Sequence, residues 1–91
     1  MSAPTINPGT TIVDVRTPEE FSAGHVPGSI NIPLNEVPDR VEELRAMAKP
    51  LVLCCRSGVR SGNALAFLER HGLSDMENGG GWQEVLQRLP K

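Results

Sequence analysis

Apolar and polar positions fall in short blocks along this chain, and each block predicts an element. Thr10 to Val15, "TTIVDV", is β-branched and apolar behind Pro8-Gly9, which reads as a buried strand ending at Asp14 to Arg16. A helix start follows at once. Thr17 is a suitable N-cap, Pro18 suits the first helical position, and Glu19 and Glu20 are acidic in the first turn. Glu20 lies three residues past the cap, the spacing of a capping box. Gly24 stops this helix, Pro27-Gly28 marks a turn, and Ser29 to Ile32 makes a brief apolar strand ended by Pro33.

Asn35 to Ala48 predicts a second helix, regular from about Pro38, with Val37, Val41, Leu44 and Met47 or Ala48 at core-facing spacing. Pro50 ends it. Leu51 to Cys54 is wholly apolar, as expected of a parallel strand covered on both faces. A polar loop, Arg56 to Arg60, leads into a helix from Ser61 to His71, where Ala64, Leu65, Leu68 and the nearby Phe67 form a stripe closed by Gly72. Ser74 to Asn78 is a weak strand, Gly79-Gly80-Gly81 a turn, and Trp82 to Leu89 a last short helix. Strands alternating with helices predict an α/β domain with a mainly parallel sheet of four strands, or five if Thr5 to Asn7 adds an edge. Residues 1–91 read as a single such domain.

Composition narrows the function. A formal net charge of −2 and only three aromatic residues, two Phe and one Trp, give neither a basic field nor a stacking platform, which argues against nucleic-acid binding. No run approaches the roughly 18 apolar residues of a membrane span. Met1 to Pro8 lacks the basic and apolar regions of an export leader, so a cytoplasmic location is expected.

The two cysteines, Cys54 and Cys55, are adjacent. Across a trans peptide their Cα atoms stand about 3.8 Å apart, below the roughly 4.4 Å lower end of ordinary disulfides, so both are expected as free thiols. Zinc is disfavoured as well, because the pair is not C-x₂-C and neither His25 nor His71 has ligand spacing with it. No metal is expected.

Ligands in open parallel sheets bind beyond the carboxyl ends of the strands, where Cys55 to Arg60 falls. A thiol becomes nucleophilic when dipoles and cations stabilise its thiolate. The helix starting near Val59 or Ser61 aims its amino end back at the loop. Arg56 and Arg60 add charge, Ser57 adds a hydroxyl, and Gly58 permits a nest of inward N–H groups. The same cradle suits an anionic substrate. Strand alternation selects Cys55, which opens the loop, and sends Cys54 into packing on the other sheet face.

"CRSGVRS", Cys55 to Ser61, resembles the active-site loop of the rhodanese, or thiosulfate sulfurtransferase, family. "DVRTPEEFSAGHVPGSINIP", Asp14 to Pro33, resembles that family's other recurring segment. The resemblance implies a rhodanese-like fold with helices on both faces of the sheet. It implies sulfur transfer from thiosulfate, or a related persulfide donor, through a Cys55 persulfide to cyanide, a thiol or a protein acceptor, by a monomer or homodimer without a cofactor. By position, Cys55 is the nucleophile, and Arg56, Ser57, Gly58, Val59 and Arg60 form the substrate cradle, Arg60 being the foremost partner for the sulfonate. Asp14, Arg16 and Ser61 stand behind it as loop-orienting groups. For Asp14 and Arg16 an alternative is an ion pair that organises the strand-to-helix turn. Two departures stand out. About nine residues precede the first strand, where family members commonly have a helix, and Trp82 follows the three glycines without a spacer.

Two rivals remain. Phosphatases of related fold use C-x₅-R, whereas here Arg60 is one position nearer to Cys55. A persulfide carrier without thiosulfate turnover would keep the same cysteine. His25 lies in a turn and is a weak candidate for a general base, His71 suits a helix C-terminal cap, and Trp82 suits an anchor for the last helix.

Overall fold

The computed structural model describes residues 4–90. The elements run β1 (Thr11–Asp14), α1 (Pro18–Ser22), β2 (Ile30–Asn31), a 3₁₀ helix (Leu34–Arg40), α2 (Val41–Ala46), β3 (Leu51–Cys55), α3 (Val59–Arg70), β4 (Met76–Gly81) and α4 (Trp82–Gln87). The sheet has four strands in the order β2-β1-β3-β4, and every pairing is parallel.

Period-two alternation divides the core. Val13, Val15, Leu51, Leu53 and Cys55 face Val37, Val41, Leu44, Ala64 and Leu68 from the 3₁₀ helix, α2 and α3. Ile12, Val52 and Cys54 face Ile6, Val26 and Val85 on the opposite side, with Trp82 and Leu89 of the closing segment against them. Helices therefore cover both faces, and all five residues of β3 are buried, as a central parallel strand requires. Each such Leu or Val contributes roughly 1.5–3 kcal/mol relative to exposure.

The predicted elements shift in four places. The segment around Thr5 to Asn7 forms no strand; Ile6 is instead pinned to the end of α4 by its N–H to the Arg88 carbonyl at 2.8 Å. The predicted helix over 35–48 divides, because Pro38 lies inside a 3₁₀ stretch and lacks the N–H of a regular turn. Helix α3 begins at Val59, before Ser61. The three glycines are strand and not turn: β4 runs through them, with a register shift opposite Leu53 and Cys54. Close approach explains this. A Cβ on Gly79 would stand 2.7 Å from both Val52 and Val85, and one on Gly81 would stand 2.8 Å from the Arg56 carbonyl oxygen. Glycine in this strand is selected by what lies over it, against its low strand propensity.

Among the described residues, no helix is long and apolar enough to cross a membrane.

Candidate active site

Cys55 is the last residue of β3, and the chain turns into α3 through Arg56, Ser57 and Gly58. Gly58 has φ 102°, a left-handed conformation that glycine adopts at little cost, and this rotation aims its N–H at the Cys55 sulfur, 3.0 Å away. The Ser61 N–H and the Ser61 hydroxyl each stand 3.4 Å from the same sulfur. The sulfur thus sits on the amino end of a twelve-residue helix, where free N–H groups and the helix dipole favour negative charge.

These donors set the direction in which the Cys55 thiol shifts. Burial acts to raise the thiol pKa, but hydrogen bonds from the Ser61 hydroxyl and from the N–H groups of Ser61, Gly58 and Ser57 outweigh it, so the net displacement is downward. Cys54 behaves oppositely. Its thiol is pushed up to about 12, first by burial and then by the nearby Asp14 carboxylate, with Arg16 only partly opposing.

The remaining loop residues fall into different settings. Arg56 and Ser57 are exposed, and Val59 is exposed at 68% despite being apolar. Arg60 is engaged: Nη1 donates to Glu20 Oε1 at 2.7 Å and Nη2 to Glu20 Oε2 at 3.0 Å. Arg60 also borders an open cleft of about 300 Å³, shared with Val15, Thr17, Pro33, Leu34 and Asn35 at the carboxyl ends of β1 and β2.

Among the described residues, no hydrogen bond joins Asp14 or Arg16 to the Cys55 loop. They lie on the Cys54 face of β1 as a buried pair, Arg16 Nη2 to Asp14 Oδ2 at 2.7 Å. Arg16 also donates to the carbonyls of Glu20 and Gly24 and lies over the Trp82 ring, 4.9 Å from its centroid. This geometry is that of an ion pair tying the strand end to the turn after α1. His25 and His71 both bond a carbonyl four residues back, Phe21 and Phe67 respectively, and each packs its ring against that same phenylalanine.

Two residues of the site escape the sequence reading. Asn78 of β4 accepts from the Ser61 hydroxyl at 2.7 Å and from the Gly80 N–H at 3.1 Å, while its amide donates to the Gly58 carbonyl at 3.0 Å. It fastens both ends of the cradle to the neighbouring strand. Glu20 carried a legible signal, the capping box, and the box is present. The second duty of its carboxylate, reaching Arg60 across 40 positions, has no local signature.

The profile of the rhodanese-like domain family matches residues 2–87. The chain is 38% identical over 84 residues to thiosulfate sulfurtransferase PspE of Escherichia coli, covering 87% of this chain and 75% of that protein. It is 37% identical over 68 residues to thiosulfate sulfurtransferase GlpE of Pseudomonas syringae, covering 75% and 63%. The chain spans about half to two thirds of the length of several curated relatives, this GlpE among them. A solved structure described as a rhodanese with anions from E. coli superposes with a TM-score of 0.77 at 34% identity, covering 89% of this chain and 94% of that one.

Proposed function

Because this chain belongs to the rhodanese-like domain family, we propose that it is a sulfurtransferase that moves sulfane sulfur from thiosulfate, through a Cys55 persulfide, to a thiophilic acceptor. The observation that carries this reading is the Cys55 sulfur, hydrogen-bonded to the Gly58 N–H and to the N–H and hydroxyl of Ser61, with its pKa held below the ordinary thiol range.

The Cys55 thiolate attacks the outer sulfur of thiosulfate. A new S–S bond forms as the original one breaks, and its electron pair leaves with sulfite. The N–H groups that held the thiolate then hold the persulfide, whose outer sulfur carries the charge. Cyanide or a thiol attacks that outer sulfur, and Cys55 departs as the thiolate it was. A cradle that stabilises the thiolate raises the share of the nucleophilic form and makes Cys55 a better leaving group.

Arg60 is the group that meets the sulfonate. Its pair with Glu20 uses one N–H on each terminal nitrogen, and a guanidinium has five, so its remaining donors are available to oxygen at the rim of the cleft. Arg56 adds positive charge from the exposed side. Ser57, Gly58 and Val59 supply the backbone of the cradle, and the Ser61 N–H donates to the sulfur with its hydroxyl also within reach.

The test is intact mass of the reduced protein before and after thiosulfate. A gain of one sulfur atom, reversed by cyanide and absent from Cys55→Ser, is expected. No gain with thiosulfate or with a small-molecule persulfide overturns the proposal.

A further inference from the structure

Arg60 stands at the rim of the cradle with a carboxylate already on it. Both members of the Arg60–Glu20 pair are about one third exposed, at 33% and 32%. Glu20 is also held from its own helix, because Oε1 accepts from the Thr17 N–H at 3.1 Å and the Thr17 hydroxyl at 3.2 Å. The Arg60 hydrogen bond, followed by that of the Thr17 N–H, keeps the Glu20 carboxyl ionised, with a pKa of about 2. A negative charge therefore stands directly on Arg60, the group proposed above to meet the donor anion. Such a charge acts on each donor in proportion to the charge the donor brings.

We propose that Glu20 is a specificity-determining residue: by cancelling much of the Arg60 charge, it lowers the preference of the site for doubly charged over singly charged sulfur donors. The inference rests on Arg60 meeting the sulfonate, as proposed above. Glu20 acts through Arg60 and is a positioning residue, not a catalytic one. Removing its charge favours the dianion most, whereas loosening the loop would slow all donors alike.

Two donors isolate charge from shape. Thiosulfate carries two negative charges; methanethiosulfonate has the same tetrahedral sulfur with a methyl in place of one oxygen, and carries one. With either, Cys55 bonds to the terminal sulfur, the S–S bond breaks, and the electron pair leaves with sulfite or methanesulfinate.

The experiment measures kcat/KM for cyanide-dependent turnover of both donors at low ionic strength, in the parent protein, Glu20→Gln, Glu19→Gln and Arg60→Ala. Glutamine keeps an oxygen for the Thr17 cap, and thermal melting checks that the variant is folded. Glu20→Gln is expected to raise the thiosulfate to methanethiosulfonate ratio roughly tenfold, with the effect shrinking as salt screens it. Glu19 is exposed beside Glu20, and its neutralisation is expected to move the ratio by less than about twofold. A folded Glu20→Gln with an unchanged ratio, or with both donors slowed equally, overturns the inference while Arg60→Ala still weakens thiosulfate use. Unchanged thiosulfate kinetics in Arg60→Ala overturn the role of Arg60 and this inference with it.

Discussion

Cys54 and Cys55 are joined by one peptide bond and both are closed off from solvent, yet only Cys54 moves in the direction that burial dictates. The Cys54 thiol lies among Ile12, Val26, Val52 and Val85, and its pKa is pushed up to about 12, first by burial and then by the Asp14 carboxylate. The Cys55 side chain is also packed in apolar company, but its sulfur ends against N–H groups and a hydroxyl, and its pKa falls. Both lose water, Cys54 more deeply. The difference is whether the protein replaces water with donors, and alternation along one strand suffices to separate the two outcomes.

The comparison breaks most sharply on exchange of the nucleophile. Cys55→Ser is expected to show no sulfur gain by mass, whereas Cys54→Ala is expected to load fully. A folded Cys54→Ala that fails to load would show the two thiols to be functionally joined. Next, Cys54→Ser buries a hydroxyl in the apolar cluster and is expected to cost about 2 kcal/mol in urea unfolding, with loading intact.

Ser61→Ala removes one donor from the Cys55 sulfur. The expected result is roughly fivefold slower alkylation at neutral pH, the equivalent of one lost hydrogen bond, with the pH midpoint of the reaction moved upward. An unchanged midpoint would assign the whole effect to the backbone N–H groups.

Stability against pH separates the two thiols by sign. The folded pKa of Cys54 is raised, so the stability it contributes is whole below the ordinary thiol range and is lost as pH rises toward about 12. The folded pKa of Cys55 is lowered, so its contribution is present above the ordinary range and is lost as pH falls through the folded value. Urea unfolding from neutral to alkaline pH should therefore decline less steeply in Cys54→Ala and more steeply in Cys55→Ser.

The sequence made legible whatever depends on local pattern. The strands β1 and β3, the Thr17 cap and the turn after Cys55 follow from β-branched and apolar runs, capping chemistry and turn residues. What it hid depends on contact across the fold. Gly79 to Gly81 read as a turn because glycine favours turns, and only the Val52 and Val85 side chains and the Arg56 carbonyl against them explain a strand there. Asn78 looked like the tail of a weak strand because its partners, Ser61 and Gly58, lie 17 and 20 positions away.

Ser61 has one hydroxyl proton and two acceptors, the Asn78 oxygen at 2.7 Å and the Cys55 sulfur at 3.4 Å. It can serve only one at a time. The Asn78 oxygen keeps the Gly80 N–H when the hydroxyl turns away, so neither orientation leaves it bare. The hydroxyl is thus a rotor with two resting positions. It can follow charge onto and off the sulfur by a single bond rotation, while every heavy atom of the cradle stays in place.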